Sequence, residues 1–129
     1  MADGIRTPAQ RLGDAAEDEV ARSLTACGWR VLARNVRVGR GELDLVAIDP
    51  SRPTTLVFVE VRWRAGRGFG LAEETVDHAK RRHLHRAAWR WLEEAPDPPN
   101  LPVRFDLVVV EPPAMPGGRP SMRHHRSAF

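Results

Sequence analysis

Two acidic residues stand inside strongly apolar runs of this chain: Asp44 within Gly41-Glu42-Leu43-Asp44-Leu45-Val46-Ala47-Ile48, and Glu60 within Leu56-Val57-Phe58-Val59-Glu60-Val61-Arg62-Trp63-Arg64. Carboxylates are hard oxygen ligands, and a magnesium-like ion takes one or two of them while water or phosphate oxygens complete its shell. An ion so held polarises a phosphodiester and activates the attacking water. Two carboxylates at close range also repel, so the same arrangement demands a nearby cation. Arg62 and Arg64 follow Glu60 closely enough to supply one.

Both runs read as strands, because β-branched and apolar residues fill them and Pro50-Ser51-Arg52-Pro53 marks a turn between. If the runs fold back about Arg52 in register, Asp44 falls directly across from Glu60, since both lie equally far from the turn. Directly opposed residues share a face. The period of two then gathers Glu42, Asp44, Glu60, Arg62 and Arg64 on one face and Leu43, Leu45, Val59 and Val61 on the other. The simpler alternative is a half-wet sheet whose polar face carries ordinary surface charges.

The flanking elements decide what else reaches those acids. Thr7-Pro8-Ala9-Gln10 has the residues of a helix start, Leu12, Ala16, Val20 and Leu24 form an apolar stripe, and Gly28 is a stop. Glu17 lies beside that stripe, where composition alone reads it as a surface acid. Residues 29–34 alternate like a first strand. Residues 76–95 read as a second helix with Leu84, Ala87, Ala88, Trp91 and Ala95 inward and Arg82, Arg86 and Arg90 outward at four-residue steps. Lys80 precedes Leu84 by one turn on the inward side, aimed at the sheet. Residues 103–110 form a last, nearly all-apolar strand that a helical crossover places parallel to the second strand of the hairpin. The expected class is α/β, with order αβββαβ and a mixed sheet flanked by helices. Residues 1–111 make this domain, and residues 112–129 a proline- and glycine-rich connector with a basic tail that docks, binds nucleic acid or stays mobile.

A chain of 129 residues with 42% hydrophobic residues suits one core. The net charge is +3 and the pI about 10.3, and the basic residues are clustered: Arg34, Arg37 and Arg40; Arg62, Arg64 and Arg67; Arg81, Arg82, Arg86 and Arg90. Clusters around an acidic focus suit a polyanion steered toward a metal, with a solvated surface as the plain alternative. Arg34, Arg37, Arg40, Arg64, Arg67, Arg82 and Arg86 are the candidate nucleic-acid contacts. Cys27 has no partner for an internal disulfide and reads as a small buried side chain. The five histidines lack metal-finger spacing. The glycines of residues 65–70 are a poor phosphate-loop match. No run reads as a signal peptide or membrane span, so a cytoplasmic location is expected.

Gly41-Glu42-Leu43-Asp44 followed by Phe58-Val59-Glu60-Val61-Arg62-x-Arg64 resembles the bacterial YraN-type family. The resemblance extends to Gly13, Glu17 and Ala21, to Arg34-Asn35, to Gly70 and Lys80, to Arg104-Phe105-Asp106 and to the final His124-His125-Arg126-Ser127-Ala128-Phe129. It implies a restriction-endonuclease-like fold of the PD-(D/E)XK type, related to Holliday-junction resolvases and restriction enzymes. By position, Asp44 and Glu60 look like the metal-binding acids, and Glu17 like the extra acid that a first helix brings to the site. Arg62 occupies the place of the catalytic lysine. An arginine in a protein keeps its proton, so Arg62 cannot serve as a general base, but its fork of donors can hold phosphate charge or a water. Lys80, one lysine among nineteen arginines, is the other candidate for phosphate stabilisation.

These features together imply a DNA-binding protein, with branched or otherwise structured DNA as the partner and magnesium- or manganese-dependent cleavage as the chemistry. An exposed sheet edge, with the junction-resolving relatives that the resemblance implies, points to a homodimer. Two other readings stay open: a nucleic-acid-binding module without turnover, and an interaction protein whose hairpin acids bind a basic partner.

Overall fold

Thr7 and Gln10 close a reciprocal capping box, Gln10 N–H donating to Thr7 Oγ1 at 3.1 Å and Thr7 N–H to Gln10 Oε1 at 2.8 Å, with Pro8 at the first helical position. The helix they start, α1 (Pro8–Ala26), stops before Gly28, whose φ of 90° lets the chain reverse. The computed structural model describes residues 7–64 and 78–129. After α1 come β1 (Arg30–Val38), β2 (Gly41–Asp49), β3 (Thr55–Trp63), α2 (His78–Glu94), β4 (Val103–Glu111) and β5 (Ser121–His125). The expected αβββαβ series is present with one further strand.

The five strands form one sheet in the order β1-β2-β3-β4-β5, antiparallel except for the β3–β4 pair. That parallel pair needs a crossover connection, and α2 lies within it. Strand β3 is central, and Leu56, Val57, Phe58 and Val59 are all buried because both faces of the sheet are covered. One face packs Ala16, Val20 and Leu24 of α1 against Leu45, Ala47, Val57, Val59, Val108 and Val110. The other packs Leu84, Ala87 and Ala88 of α2 against Val46, Leu56, Phe58 and Phe105. No described helix is long and apolar enough to cross a membrane.

Three sequence expectations change. Leu12 is 44% exposed, so the packed stripe of α1 starts at Ala16. Cys27 is exposed, because it caps α1 at the chain reversal while Leu24 and Trp29 on either side turn inward. Leu43 and Leu45 do not share a face: Leu45 packs with the α1 layer and Leu43 with the α2 layer. The β1–β2 register passes from Arg34–Leu45 to Val36–Leu43 across Asn35, which has a left-handed φ of 50°. The β1–β2 register shifts earlier, between Val31 and Ala33. Sequence position 76 and the loop 65–70 lie outside the described residues.

The segment after β4 docks. Strand β5 pairs with β4 from Leu107–His125 to Glu111–Ser121, and Ala128 N–H donates to Phe105 O at 2.8 Å. Beneath it, Arg104 bridges two fully buried acids, Nη2 lying 2.9 Å from Asp49 Oδ2 and Nε 2.9 Å from Asp106 Oδ1. His124 Nε2 lies 2.8 Å from Asp106 Oδ2, and Ser127 N–H donates to Asp106 Oδ1 at 3.0 Å. Burial opposes ionisation of both acids, yet these bonds outweigh it. Asp106 is lowered by His124, Arg104 and Ser127, and Asp49 is held at about 2 by Ser51 and Arg104.

Candidate active site

The β2–β3 register runs from Asp49–Thr55 to Leu45–Val59, and Asp44 and Glu60 adjoin its last pair. Both acids line a cavity of about 240 Å³ with Gly41, Glu42, Lys80, His83 and Leu84, between the end of the hairpin and the start of α2. Asp44 turns its Oδ2 toward β3, where it accepts the Val61 N–H at 2.8 Å. Glu60 Oε1 lies 3.0 Å from Lys80 Nζ and 3.3 Å from Arg62 Nε. The cation demanded by paired carboxylates is therefore supplied twice, from α2 and from β3 itself.

Glu17 completes the group from the opposite layer. It is 8% exposed, far from the surface acid that its composition suggests, because Ala16, Val20 and Ala21 around it bury that stretch of α1. Its carboxyl hydrogen-bonds Asp44 and Asn35. Its Oε2 is buried and has no hydrogen-bond partner among the described residues. Glu17 is not one of the residues lining the cavity on the α2 side, so it reaches the site through Asp44.

Burial raises the Asp44 pKa to about 8, and the Glu60 and Glu17 charges add to that against the opposing Val61 hydrogen bond. Burial also raises Glu17, with Asp14 and Glu42 adding to it, while its bonds to Asp44 and Asn35 work the other way. Burial and the neighbouring carboxylates thus favour a protonated form of the pair. Among the described residues, no three His, Cys, Asp or Glu side chains already stand as a ready set of metal ligands. The donor chemistry nonetheless suits a hard divalent cation: three oxygen donors from three elements, one orphaned carboxylate oxygen, and excess negative charge that a proton now compensates.

The arginines divide. Arg40 and Arg86 line a second groove, about 400 Å³, that shares Gly41 and His83 with the acid cavity. Arg64 Nη1 lies 3.4 Å from Glu111 Oε2 at the β3–β4 edge, and Arg123 also pairs with Glu111. Arg37 stands across β1–β2 from Glu42, and both are exposed. Arg34 pairs with Asp18 on the α1 side and faces a groove of about 580 Å³ with Arg22 and Thr25, away from the acid cavity. That larger groove gathers no set of acids and is not the chemical site. Arg82 is exposed on α2 and lines neither the acid cavity nor the arginine groove. Arg67 and Gly70 lie outside the described residues.

Sequence reasoning missed His83 and Asn35. His83 follows Lys80 at the i+3 spacing that puts both on one helix face, a signal that was available. Asn35 is a residue that tolerates left-handed backbone, but nothing in the local pattern tells that its side chain meets Glu17.

Residues 16–110 match the description Uncharacterised protein family UPF0102. A UPF0102 protein from Symbiobacterium thermophilum is 46% identical over 120 residues, covering 93% of this chain and 97% of that one. One from Nocardia farcinica is 42% identical over 120 residues, covering 93% and 90%. One from Pseudomonas putida is 44% identical over 101 residues, covering 78% and 80%. Among solved structures, Pyrococcus furiosus SfsA in complex with Ca2+ aligns with a TM-score of 0.32 and 12% identity; the chain is covered to 92% but spans 63% of that protein. By sequence, from the buried acid of α1 to the strand β4, the chain belongs to the UPF0102 family.

Proposed function

We propose that the protein is a metal-dependent endonuclease of restriction-endonuclease-like fold acting on structured DNA. The observation that carries this reading is the convergence of Asp44, Glu60 and Glu17 from β2, β3 and α1, with Asp44 pushed up to about 8 by burial and then by the neighbouring carboxylates. Perturbed acids of this kind cluster at functional sites, since the fold gains nothing from crowding them. Asp44 and Glu60 are the residues to hold a magnesium or manganese ion, with Glu17 behind Asp44. Such an ion would polarise a phosphodiester and activate the attacking water. Lys80 and Arg62, held beside Glu60 at the rim of the same cavity, are donors placed to stabilise the charge that develops on phosphate. Arg62 keeps its proton throughout, so proton removal from the water falls to a carboxylate.

The test is cleavage of linear, nicked, flap and four-way-junction DNA by the full chain with manganese or with chelator. The reading expects manganese-dependent cutting of at least one branched form that Glu60→Gln abolishes. DNA binding without cutting under any of these conditions would leave a binding module in place of a nuclease. Absence of DNA binding at low salt would remove the nucleic-acid reading altogether.

A further inference from the structure

We infer that the groove between the β1–β2 turn and α2 seats the phosphate backbone of a single DNA strand on its way into the acid cavity. The inference rests on the nuclease reading and adds the path and form of the substrate. The groove, about 400 Å³, is walled by Arg40 from the turn and by Arg86 and Arg90 from α2, with no acidic residue in its lining among the described residues. The adjoining cavity, about 240 Å³, carries Glu42, Asp44 and Glu60. His83 and Gly41 belong to both, so the two form one channel with cationic and acidic ends.

Glycine makes that channel narrow. A Cβ at Gly39, where φ is 58°, would stand 2.7 Å from Arg90 Nη1, and a Cβ at Gly41 would stand 3.2 Å from Ala87 Cβ. The turn therefore lies against α2 as bare backbone. Arg90 is fixed over it, Nη1 above Gly39 and Nε 2.9 Å from Glu94 Oε1. Arg40 and Arg86 are exposed and pair with no carboxylate among the described residues. Two guanidinium groups facing one concave space repel each other, and an anion between them relieves that repulsion. Planar forks of donors suit phosphate oxygens.

Size selects the form of the ligand. The groove volume falls in the range of small-ligand pockets, about 300–1,000 Å³, which admits the backbone of one strand and cannot seat a duplex. A strand lying there has its next phosphate beside His83, at the mouth of the acid cavity. DNA with a single-stranded arm or an opened junction supplies such a strand.

The experiment is fluorescence anisotropy of the full chain with a labelled single-stranded oligonucleotide, in chelator, across a salt series. The double substitution R40A/R86A is expected to weaken binding about tenfold and to lower the salt slope by about 1.4, the value for two lost phosphate contacts on a single strand. Arg86→Glu alone should weaken it further than Arg86→Ala. Arg81→Ala, also exposed on α2 but outside the groove, should stay within about twofold. Unchanged melting of the variants confirms that the fold survives. Equal loss with Arg81→Ala, or no loss with R40A/R86A, overturns the groove while leaving the nuclease reading standing. Equally tight binding of a matching duplex, lost in parallel, overturns the single-strand form. Failure of the wild type to bind DNA at all strikes the nuclease reading itself.

Discussion

Lys80 Nζ lies 3.0 Å from Glu60 Oε1, so the one lysine of the chain ties the start of α2 to the end of β3. The Lys80 side chain is 38% exposed, and an ion pair of that exposure contributes less than about 1 kcal/mol to stability. A conserved fold with a small stability change is therefore expected for Lys80→Met. If the ammonium serves the phosphate, the same variant should cut about 100-fold more slowly, the usual cost of removing one donor to a developing oxyanion. Single-turnover cleavage beside thermal unfolding separates the two effects, and Lys80→Arg should recover part of the rate.

Asp44 gives a stability effect with a definite sign. Its ordinary value is 3.8 and its value in the folded chain about 8, so between those pH values the folded state holds a proton that the unfolded state has released. Stability therefore falls as pH rises through that window. Asp44→Asn keeps an oxygen for the Val61 N–H and removes the charge, so it should raise the melting temperature at pH 8 to 9 by on the order of 5 °C. The gain should shrink toward pH 4, a trend that thermal unfolding across pH would show directly.

The opposite sign holds for the network under β5. Asp49 and Asp106 are lowered, so their contribution is present above the ordinary carboxylate range and is lost as pH falls through the folded value, about 2 for Asp49. Replacing Asp106 by Asn leaves Arg104 half-compensated at a half-buried position beside fully buried Asp49, and breaking such a pair costs up to about 3 kcal/mol. Chemical denaturation of Asp106→Asn measures this cost. A loss below about 1 kcal/mol would mean that the tail docks without this network.

The register of the hairpin was legible because it follows from counting outward from Arg52, and every strand pair from Asp49–Thr55 to Leu45–Val59 obeys it. The parallel β4 was legible for a similar reason, since its run is apolar throughout and a helix precedes it. The opposite faces of Leu43 and Leu45 were not, because strict alternation puts residues two apart on one face, whereas the packing sends Leu45 to the α1 layer and Leu43 to the α2 layer. Strand β5 was hidden by its composition, Ser-Met-Arg-His-His, which lacks an apolar period and is held by pairing with β4 and by the His124–Asp106 contact. Glu17 needed the family resemblance, for helix position alone does not reveal that a carboxylate is buried against another. The arginine clusters were visible as charge, but their division between a groove, a sheet edge and the α1 side is set by tertiary packing.

The central claim is that the crowded acids form a divalent-metal site, and calorimetric titration of the full chain with manganese at neutral pH tests it most directly. The account predicts saturable binding of one ion with release of the proton held at Asp44, seen as a heat that depends on the ionisation enthalpy of the buffer. Asp44→Asn and Glu60→Gln should each remove the binding, while a control change at exposed Arg81 leaves it intact. No saturable binding, or the same binding in Asp44→Asn as in the wild type, would contradict the claim.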